Sequence, residues 1–315
     1  MNQLPPARFQ EDVTVLFELE RQIGVLRDRV RDVVARRTTS FYLFGPRGTS
    51  KTHIVRTTLD SIGEPYEYHA GHLTPMGFFD LLGEYSDDVL VLDDVLSLFR
   101  DRIGQQLLLA ALGTQYSGDW TRVVKYRRRN REEVVNFSGG LIAISNIQLH
   151  DDDVMGAIKS RTKPLEWAPT DLQLAAMMRD AVKAGWARDG VTLTADECIE
   201  VVEFLIEQCR HYNVRLDLRL LFNGALPDFV ASKIGEHETD WRDHTVFAIR
   251  EQARRLQYSG PAKTRDQVKE LEQKIVQRIR ASHNTRPEQV EAWQRETGKS
   301  ERAFDRRSAE LRLAK

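Results

Sequence analysis

Two hydrophobic rhythms run along the first half of the chain. From 11 to 36, Val13, Phe17, Ile23, Leu26, Val30 and Val33 recur at roughly helical spacing, which predicts an amphipathic helix. FYLF at 41–44 is a short aromatic and aliphatic run before a glycine-containing loop and reads as a strand, after which KTHIVRTTL returns to helix. The alternation then repeats. EYHA (67–70) reads as a strand, PMGFFDLLGEY (75–85) as a helix, VLVLDD (89–94) as a buried strand and DRIGQQLLLAALGTQY (101–116) as a helix. RVVKYRR and REEVVNF alternate around Asn130, which predicts a β-hairpin, and GLIAISN (140–146) and PLEW (164–167) supply two more strands. Strands that are apolar throughout, separated by helices, predict an α/β fold with a parallel sheet covered on both faces.

From Pro169 the pattern is helical throughout: TDLQLAAMMRDAVKAGW, TADECIEVVEFLIEQCRHY, LDLRLLFNGALPDFVASKI and a segment near 240–257, with Thr170 and Thr194 as helix caps. SGPAKT (259–264) is the best linker, and a further helical stretch follows it. No internal repeat or low-complexity tract interrupts this order.

Composition changes the picture in one respect. The 315 residues are 41% hydrophobic and 30% charged with a net charge of -1, an ordinary balance for a soluble protein that excludes a basic coat over the whole surface. From Lys263 onward, however, 14 Lys and Arg face 9 Asp and Glu, so the tail carries +5 and the body -6. A basic tail on an acidic body points to a partner. The two cysteines, Cys198 and Cys209, fall in one predicted helix and lie about 16 Å apart along it, too far to bridge. Reduced thiols, no apolar run of membrane-spanning length and no secretory apolar segment in MNQLPPARFQEDV lead to the expectation of a soluble cytoplasmic protein.

The candidate chemistry begins at 45–52, GPRGTSKT, comprising Gly45, Pro46, Arg47, Gly48, Thr49, Ser50, Lys51 and Thr52. It nearly matches the phosphate loop G-x-x-x-x-G-K-[ST], with Ser50 where the second glycine belongs. Such a loop aims backbone N–H groups at phosphate from a helix N-terminus, while Lys51 would meet the β and γ phosphates and the Thr52 hydroxyl would bind Mg²⁺. Ser50 is read as tolerable because a small residue opening a helix need not take up glycine-only backbone geometry. About forty residues on, VLVLDD ends a buried strand in two carboxylates. The carboxyl edge of an open α/β sheet is where ligands sit, so Asp93 is expected to face the Mg²⁺ and Asp94 to polarise the attacking water. Bland readings exist for each motif alone, a glycine turn and a strand-end Asp pair, but the two together favour ATP with Mg²⁺.

With these motifs in place, the chain resembles the AAA+ superfamily of ring-forming ATPases over residues 10 to 258. GPRGTSKT is similar to that family's GPPGTGKT, and LDDV to its Walker B motif with Asp94 where glutamate is usual. The resemblance implies a sensor 1 role for Asn146 at the end of IAISN, an arginine finger at Arg161 in IKSRT that reaches a neighbouring subunit's γ-phosphate, and a sensor 2 role for Arg219. It further implies a homo-oligomeric ring or helical assembly of six subunits, and slower hydrolysis for the shorter Asp94. The resulting organisation is an N-terminal helix and linker over 1–40, an α/β nucleotide-binding domain over 41–168, a helical lid over 169–258, and a linker with a basic tail over 259–315.

Two stretches speak about the substrate. Helicase-related members of the family insert a β-hairpin before the sensor 1 strand, and here Arg127, Arg128, Arg129 and Arg131 could contact DNA phosphates; a solvated hairpin pairing with Glu132 and Glu133 is the alternative. The tail segment PEQVEAWQRETGKSERAFDRRSAEL reads as helix, turn through Gly298, capping Ser300 and a second helix whose Ala303, Phe304 and Leu311 face inward. It resembles a helix-turn-helix, which would place Lys299, Ser300, Arg302, Arg306 and Arg307 at DNA; a charged helical hairpin docked on a protein is the alternative. The leading expectation is an ATPase that assembles on DNA, in replication, recombination, transposition or a mobile-element function. A protein remodeller acting on an unknown protein partner, and a regulatory switch that hydrolyses ATP slowly, stand beside it. His69 and His72 have no ligand spacing that suggests zinc and read as loop residues, and the five tryptophans read as packing.

Overall fold

The computed structural model describes residues 6–113, 120–128, 131–149, 153–188, 190–258, 265–283, 285–297 and 299–313, in two units, Met1–Ile249 and Arg250–Lys315. The first unit opens with helix α1 (Pro6–Val34), followed by β1 (Ser40–Phe44), α2 (Lys51–Ile62), β2 (Tyr66–Ala70), α3 (Pro75–Glu84) and β3 (Val89–Asp93). Next come α4 (Leu96–Arg100), α5 (Arg102–Ala111), the strands β4 (Arg122–Arg128) and β5 (Arg131–Phe137), then β6 (Leu141–Ser145), α6 (Asp153–Thr162) and β7 (Pro164–Glu166). Five strands pair in parallel in the order β2-β3-β6-β1-β7. The chain therefore inserts β6 between β1 and β3, which brings the carboxyl ends of these three strands side by side.

Strand periodicity divides the core in two. Phe41, Leu43, Val91, Ile142 and Ile144 face α1 and α2, burying Leu26, Val30, Val33, Val55 and Leu59. Their neighbours Tyr42, Leu90, Leu92, Leu141 and Ala143 face the opposite layer, where Phe78, Leu82, Leu98, Leu108 and Ile158 pack. Each strand thus reads as a continuous apolar run because both faces are covered. The hydrophobic pattern does not predict α4, which ends at Asp101; there the Asp101 side chain caps α5 by accepting from the N–H groups of Ile103 (2.8 Å) and Gly104 (2.9 Å).

The predicted hairpin forms as β4–β5, antiparallel from Arg122 opposite Phe137 to Arg128 opposite Arg131. Val124, Val135 and Phe137 join the core on one face, and Val123, Lys125, Arg127, Glu132 and Val134 are exposed on the other. Its root is Arg122, only 3% exposed, which donates to the carbonyls of Ala111 (2.9 Å), Trp120 (2.8 Å) and Gly139 and lies over the Phe137 ring. Burial lowers its pKa to about 10, with Arg36 adding to the effect.

The remainder of the first unit is helical with one exception. α7 (Asp171–Val182) is followed by a short antiparallel hairpin, β8 (Trp186–Arg188) and β9 (Val191–Leu193), where the sequence pattern predicts only helix. Then come α8 (Ala195–His211), α9 (Leu218–Leu220), a π-helical turn at Leu221–Ala225, α10 (Leu226–Lys233) and α11 (Trp241–Tyr258), which runs on into the second unit. Thr170 and Thr194 cap α7 and α8 with reciprocal capping boxes. The π turn lies just before Pro227, whose ring removes an N–H and crowds the carbonyl four residues back, so the helix absorbs the defect as a wider turn. Cys198 and Cys209 are both buried and free on α8.

The second unit contains α12 (Arg265–Ser282), α13 (Arg286–Thr297) and α14 (Glu301–Leu313) around Val276, Ile279, Trp293 and Phe304. Ala303, Phe304 and Leu311 face this core, as their spacing predicts. The candidate linker SGPAKT and the turn residue Gly298 lie outside the described residues.

Candidate nucleotide site

The loop between β1 and α2 is fixed by two contacts from distant sequence and one within itself. The Trp167 indole donates to the Thr49 carbonyl at 2.6 Å, the Leu218 N–H donates to the Gly48 carbonyl at 3.0 Å, and the Thr49 hydroxyl donates to the Pro46 carbonyl at 2.9 Å. Two glycines are required by space. A Cβ at Gly45 would stand 2.0 Å from the Trp167 carbonyl oxygen, and one at Gly48, where φ is +67°, would stand 1.7 Å from an Asp217 carboxylate oxygen. Arg47 is exposed on the loop.

Ser50 corrects the expectation that a residue opening this helix avoids glycine geometry: its φ is 67° and ψ 11°. The chain turns through the left-handed region to start α2, which costs a serine about 1 kcal/mol. Asp94 is also left-handed, with φ 53°. Two non-glycine residues in this region on one rim are the kind of local strain that concentrates at functional sites.

Because β3, β6 and β1 are adjacent, their terminal polar residues form one hydrogen-bonded row. Lys51 Nζ donates to Asn146 Oδ1 at 3.1 Å, and Asn146 Nδ2 donates to both Asp94 carboxylate oxygens, at 3.0 and 2.8 Å. Lys51 also donates to the carbonyls of Gly45 (2.9 Å) and Pro46 (2.7 Å). Beside this row the Thr52 hydroxyl donates to Asp93 Oδ2 at 2.7 Å. Lys51, Thr52, Asp93, Asp94, Asn146 and Arg219 line a single cavity of about 350 Å³. Burial lowers the Lys51 pKa to about 8, Asp94 and Asp93 oppose that shift, and Arg219 and Arg215 add to it. An ammonium so placed is short of anionic charge, which a phosphate would supply.

The sequence reading missed Tyr68. Its hydroxyl donates to the same Asp93 oxygen at 2.7 Å, and burial together with that bond pushes its pKa up to about 12. No spacing rule finds this residue; the β2–β3 pairing that sets Ala70 opposite Asp93 does. His69, read as a loop residue, belongs to β2, and its Nε2 is buried without a partner.

An apolar groove of about 930 Å³ also reaches the phosphate loop, sharing Ser50 and His53 with the cavity. Val13, Phe17, Ile23, Met177 and Phe222 are among its walls. Here the sequence stripe of α1 has two fates. Ile23, Leu26, Val30 and Val33 enter the core, whereas Val13 and Phe17 stay 53% and 71% exposed over the groove. A flat apolar ring next to a phosphate cradle suits a nucleobase.

Within the first unit, Arg161 and the hairpin arginines are not among the residues lining the cavity. Arg161 is exposed on the last turn of α6, its Nη1 donating to the Ala157 carbonyl at 2.8 Å. On the hairpin, Arg127 is opposite Glu132, and Arg128 is opposite Arg131. Arg129 and Asn130 lie outside the described residues.

In the tail, Arg302 and Arg306 are exposed on α14, and Ser300 precedes it as a backbone cap. Arg307 is largely withdrawn, only 13% exposed, with Nε donating to the buried Glu272 at 2.5 Å and Nη1 to Glu310 at 3.0 Å. Lys299 pairs with Glu272 as well. Burial opposes ionisation of Glu272, but the bonds from Lys299 and Arg307 hold its carboxyl below the usual range.

Among the described residues no helix is long and apolar enough to cross a membrane. No protein-family profile and no curated protein matches the chain. Solved structures similar to it include a RuvB mutant from Thermotoga maritima, at 13% identity over 86% of this chain and 79% of that one with a TM-score of 0.41. The Aeropyrum pernix Orc1 protein in complex with DNA is similar at 15% identity over 93% and 82%, TM-score 0.47, and Cdc6p from Pyrobaculum aerophilum at 16% over 94% and 85%, TM-score 0.45. By its own strand order, this chain has a five-stranded parallel sheet with a glycine-containing loop between β1 and α2 and a helical region behind it, the α/β architecture that the sequence pattern predicts.

Proposed function

We propose that this chain is an AAA+-type ATPase that binds ATP with Mg²⁺ at the carboxyl edge of its sheet, hydrolyses it within a homo-oligomer, and acts on DNA. The observation that carries the nucleotide reading is the row Lys51–Asn146–Asp94 beside Thr52–Asp93. The phosphate loop cradles the phosphates with backbone N–H groups, and Lys51 exchanges its carbonyl partners for phosphate oxygens. The hydroxyl and carboxylate of Thr52 and Asp93 are hard oxygen donors and suit Mg²⁺, which when bound neutralises charge developing on the β and γ phosphates. Asp94 orients the attacking water and accepts its proton, with Asn146 fixing the carboxylate in place. Arg219 adds positive charge from the helical side, and the apolar groove takes the base.

Arg161 is assigned as the finger supplied to a neighbouring subunit, which makes hydrolysis depend on assembly, in the six-subunit ring or helical filament that the resemblance implies. Arg131 with Arg128 at the hairpin end, and Arg302 with Arg306 on α14, are the candidate phosphate contacts to DNA; within the tail, Arg307 and Lys299 brace the helices through Glu272. The test is steady-state phosphate release from ATP, alone and with single-stranded or double-stranded DNA, at two salt concentrations. Strong stimulation that falls with salt is expected. A rate indifferent to DNA would overturn the DNA reading and move the substrate to a protein partner. One observation favours a slow switch as a second reading: both Asp94 oxygens are taken by Asn146 in a strained backbone. In that case Asp94→Glu raises turnover, and an unchanged rate excludes it.

A further inference from the structure

Three side chains of metal-ligand type meet in the helical part of the first unit, apart from the residues assigned to nucleotide. Asp228 on α10, His237 in the loop after it and His244 on α11 each offer one ligand atom, and these atoms lie within 4.8 Å of one another. All three residues are half-buried. The His237 and His244 rings stack at 4.5 Å between centroids, tilted by 32°.

Two further observations point to a ligand. His237 Nδ1 is buried and has no hydrogen-bond partner, an arrangement that costs free energy unless something fills it. The Thr239 hydroxyl lies 2.7 Å from His244 Nε2. In the tautomer in which Nε2–H donates to that hydroxyl, His244 Nδ1 carries the lone pair that a metal takes, the outer-partner arrangement usual for metal-bound histidines.

We propose that Asp228, His237 and His244 form a binding site for a divalent transition cation of the Zn²⁺ class, with water as the fourth ligand, that clips the 234–240 loop between α10 and α11. Two imidazoles and one carboxylate favour Zn²⁺ over Mg²⁺ or Ca²⁺, which take all-oxygen sets. Zinc bonds to nitrogen and oxygen are about 2.0–2.1 Å, so tetrahedral ligands stand about 3.3 Å apart, and modest rotations of the three side chains close the site. No cysteine or histidine pair at short spacing announces it, because the loop and not a sequence motif brings the ligands together.

The test uses the full chain made without a polyhistidine tag, stripped with chelator, and held in excess Mg²⁺ to saturate the oxygen ligands at the nucleotide site. Titration with Zn²⁺ should show one equivalent per chain. At a hundredfold excess over the dissociation constant, the melting temperature should rise by about 5 °C. Co²⁺ should give the visible absorption of a tetrahedral ion. His237→Gln and His244→Gln should each weaken binding at least about tenfold, with ATP binding unchanged. No stoichiometric Zn²⁺ in the native chain, a Co²⁺ spectrum of six-coordinate type, or undiminished binding in the double variant would overturn the proposal. The first two outcomes need no variant to fold.

Discussion

The carboxyl edge of the sheet and the basic tail are both rich in charge, yet they spend it differently. At the edge, Lys51, Asn146, Asp94, Thr52 and Asp93 hold one another around a cavity, and Lys51 also donates to the carbonyls of Gly45 and Pro46. In the tail, Glu272 is 4% exposed and accepts from both the withdrawn Arg307 and the exposed Lys299, leaving Arg302 and Arg306 without that carboxylate. Charge counted along a sequence therefore measures ligand affinity poorly. What matters is whether a cation already has its carboxylate.

The contrast can be broken at four points. The largest effect is expected at Arg161, exposed and outside the cavity lining: Arg161→Ala should cut turnover by about 10³ while ATP affinity in equilibrium titration stays the same. Loss of binding would mean that Arg161 acts within its own subunit. Next is Glu272→Ala, which removes the carboxylate beneath two cations. It should destabilise the tail by about 2 kcal/mol, seen as faster proteolysis within 265–313, with ATP binding by the first unit unaffected.

A smaller effect is expected from pH. Bound phosphate should raise the Lys51 pKa above its free value of about 8, so binding takes up a proton only above that pH. ATP affinity should be flat below about pH 8 and fall about tenfold between pH 7 and 9; calorimetry in buffers of different ionisation enthalpy would detect the proton. The same depressed pKa means that the free chain binds fewer protons folded than unfolded between about 8 and 10.5, so this group adds stability as pH rises through that window. Smallest is Ser50→Gly, which relieves a left-handed serine but loosens the unfolded chain. A stability gain of at most about 1 kcal/mol is expected in chemical denaturation, and a loss would show that the Ser50 side chain matters more than its backbone.

Much of the architecture is legible because buried parallel strands must be apolar on both faces: FYLF, VLVLDD and GLIAISN each stand out against their polar flanks. The residues of the polar row can be named from motif spacing, but the row itself follows from β6 lying between β1 and β3, which no local pattern encodes. β8 and β9 escape notice because each is three residues long and lies between strongly helical stretches, so their short alternation is read as part of the helices; Gly190, with φ +81°, marks the turn. Tyr68 and Glu272 are hidden for a common reason. Each acts through a contact between elements, so a hydroxyl on β2 and a carboxylate on α12 look like ordinary surface chemistry until the packing is known.

The row from Lys51 to Asp94, with Thr52 and Asp93, is proposed as a Mg-ATP site. Titration calorimetry of ATP into the native chain and into Lys51→Ala, each with and without Mg²⁺, tests it most directly. The account predicts one site per chain in the native protein, tightened by Mg²⁺ and weakened by at least about 100-fold in Lys51→Ala. Equal affinity in the two proteins, or no saturable binding in the native chain, would contradict it.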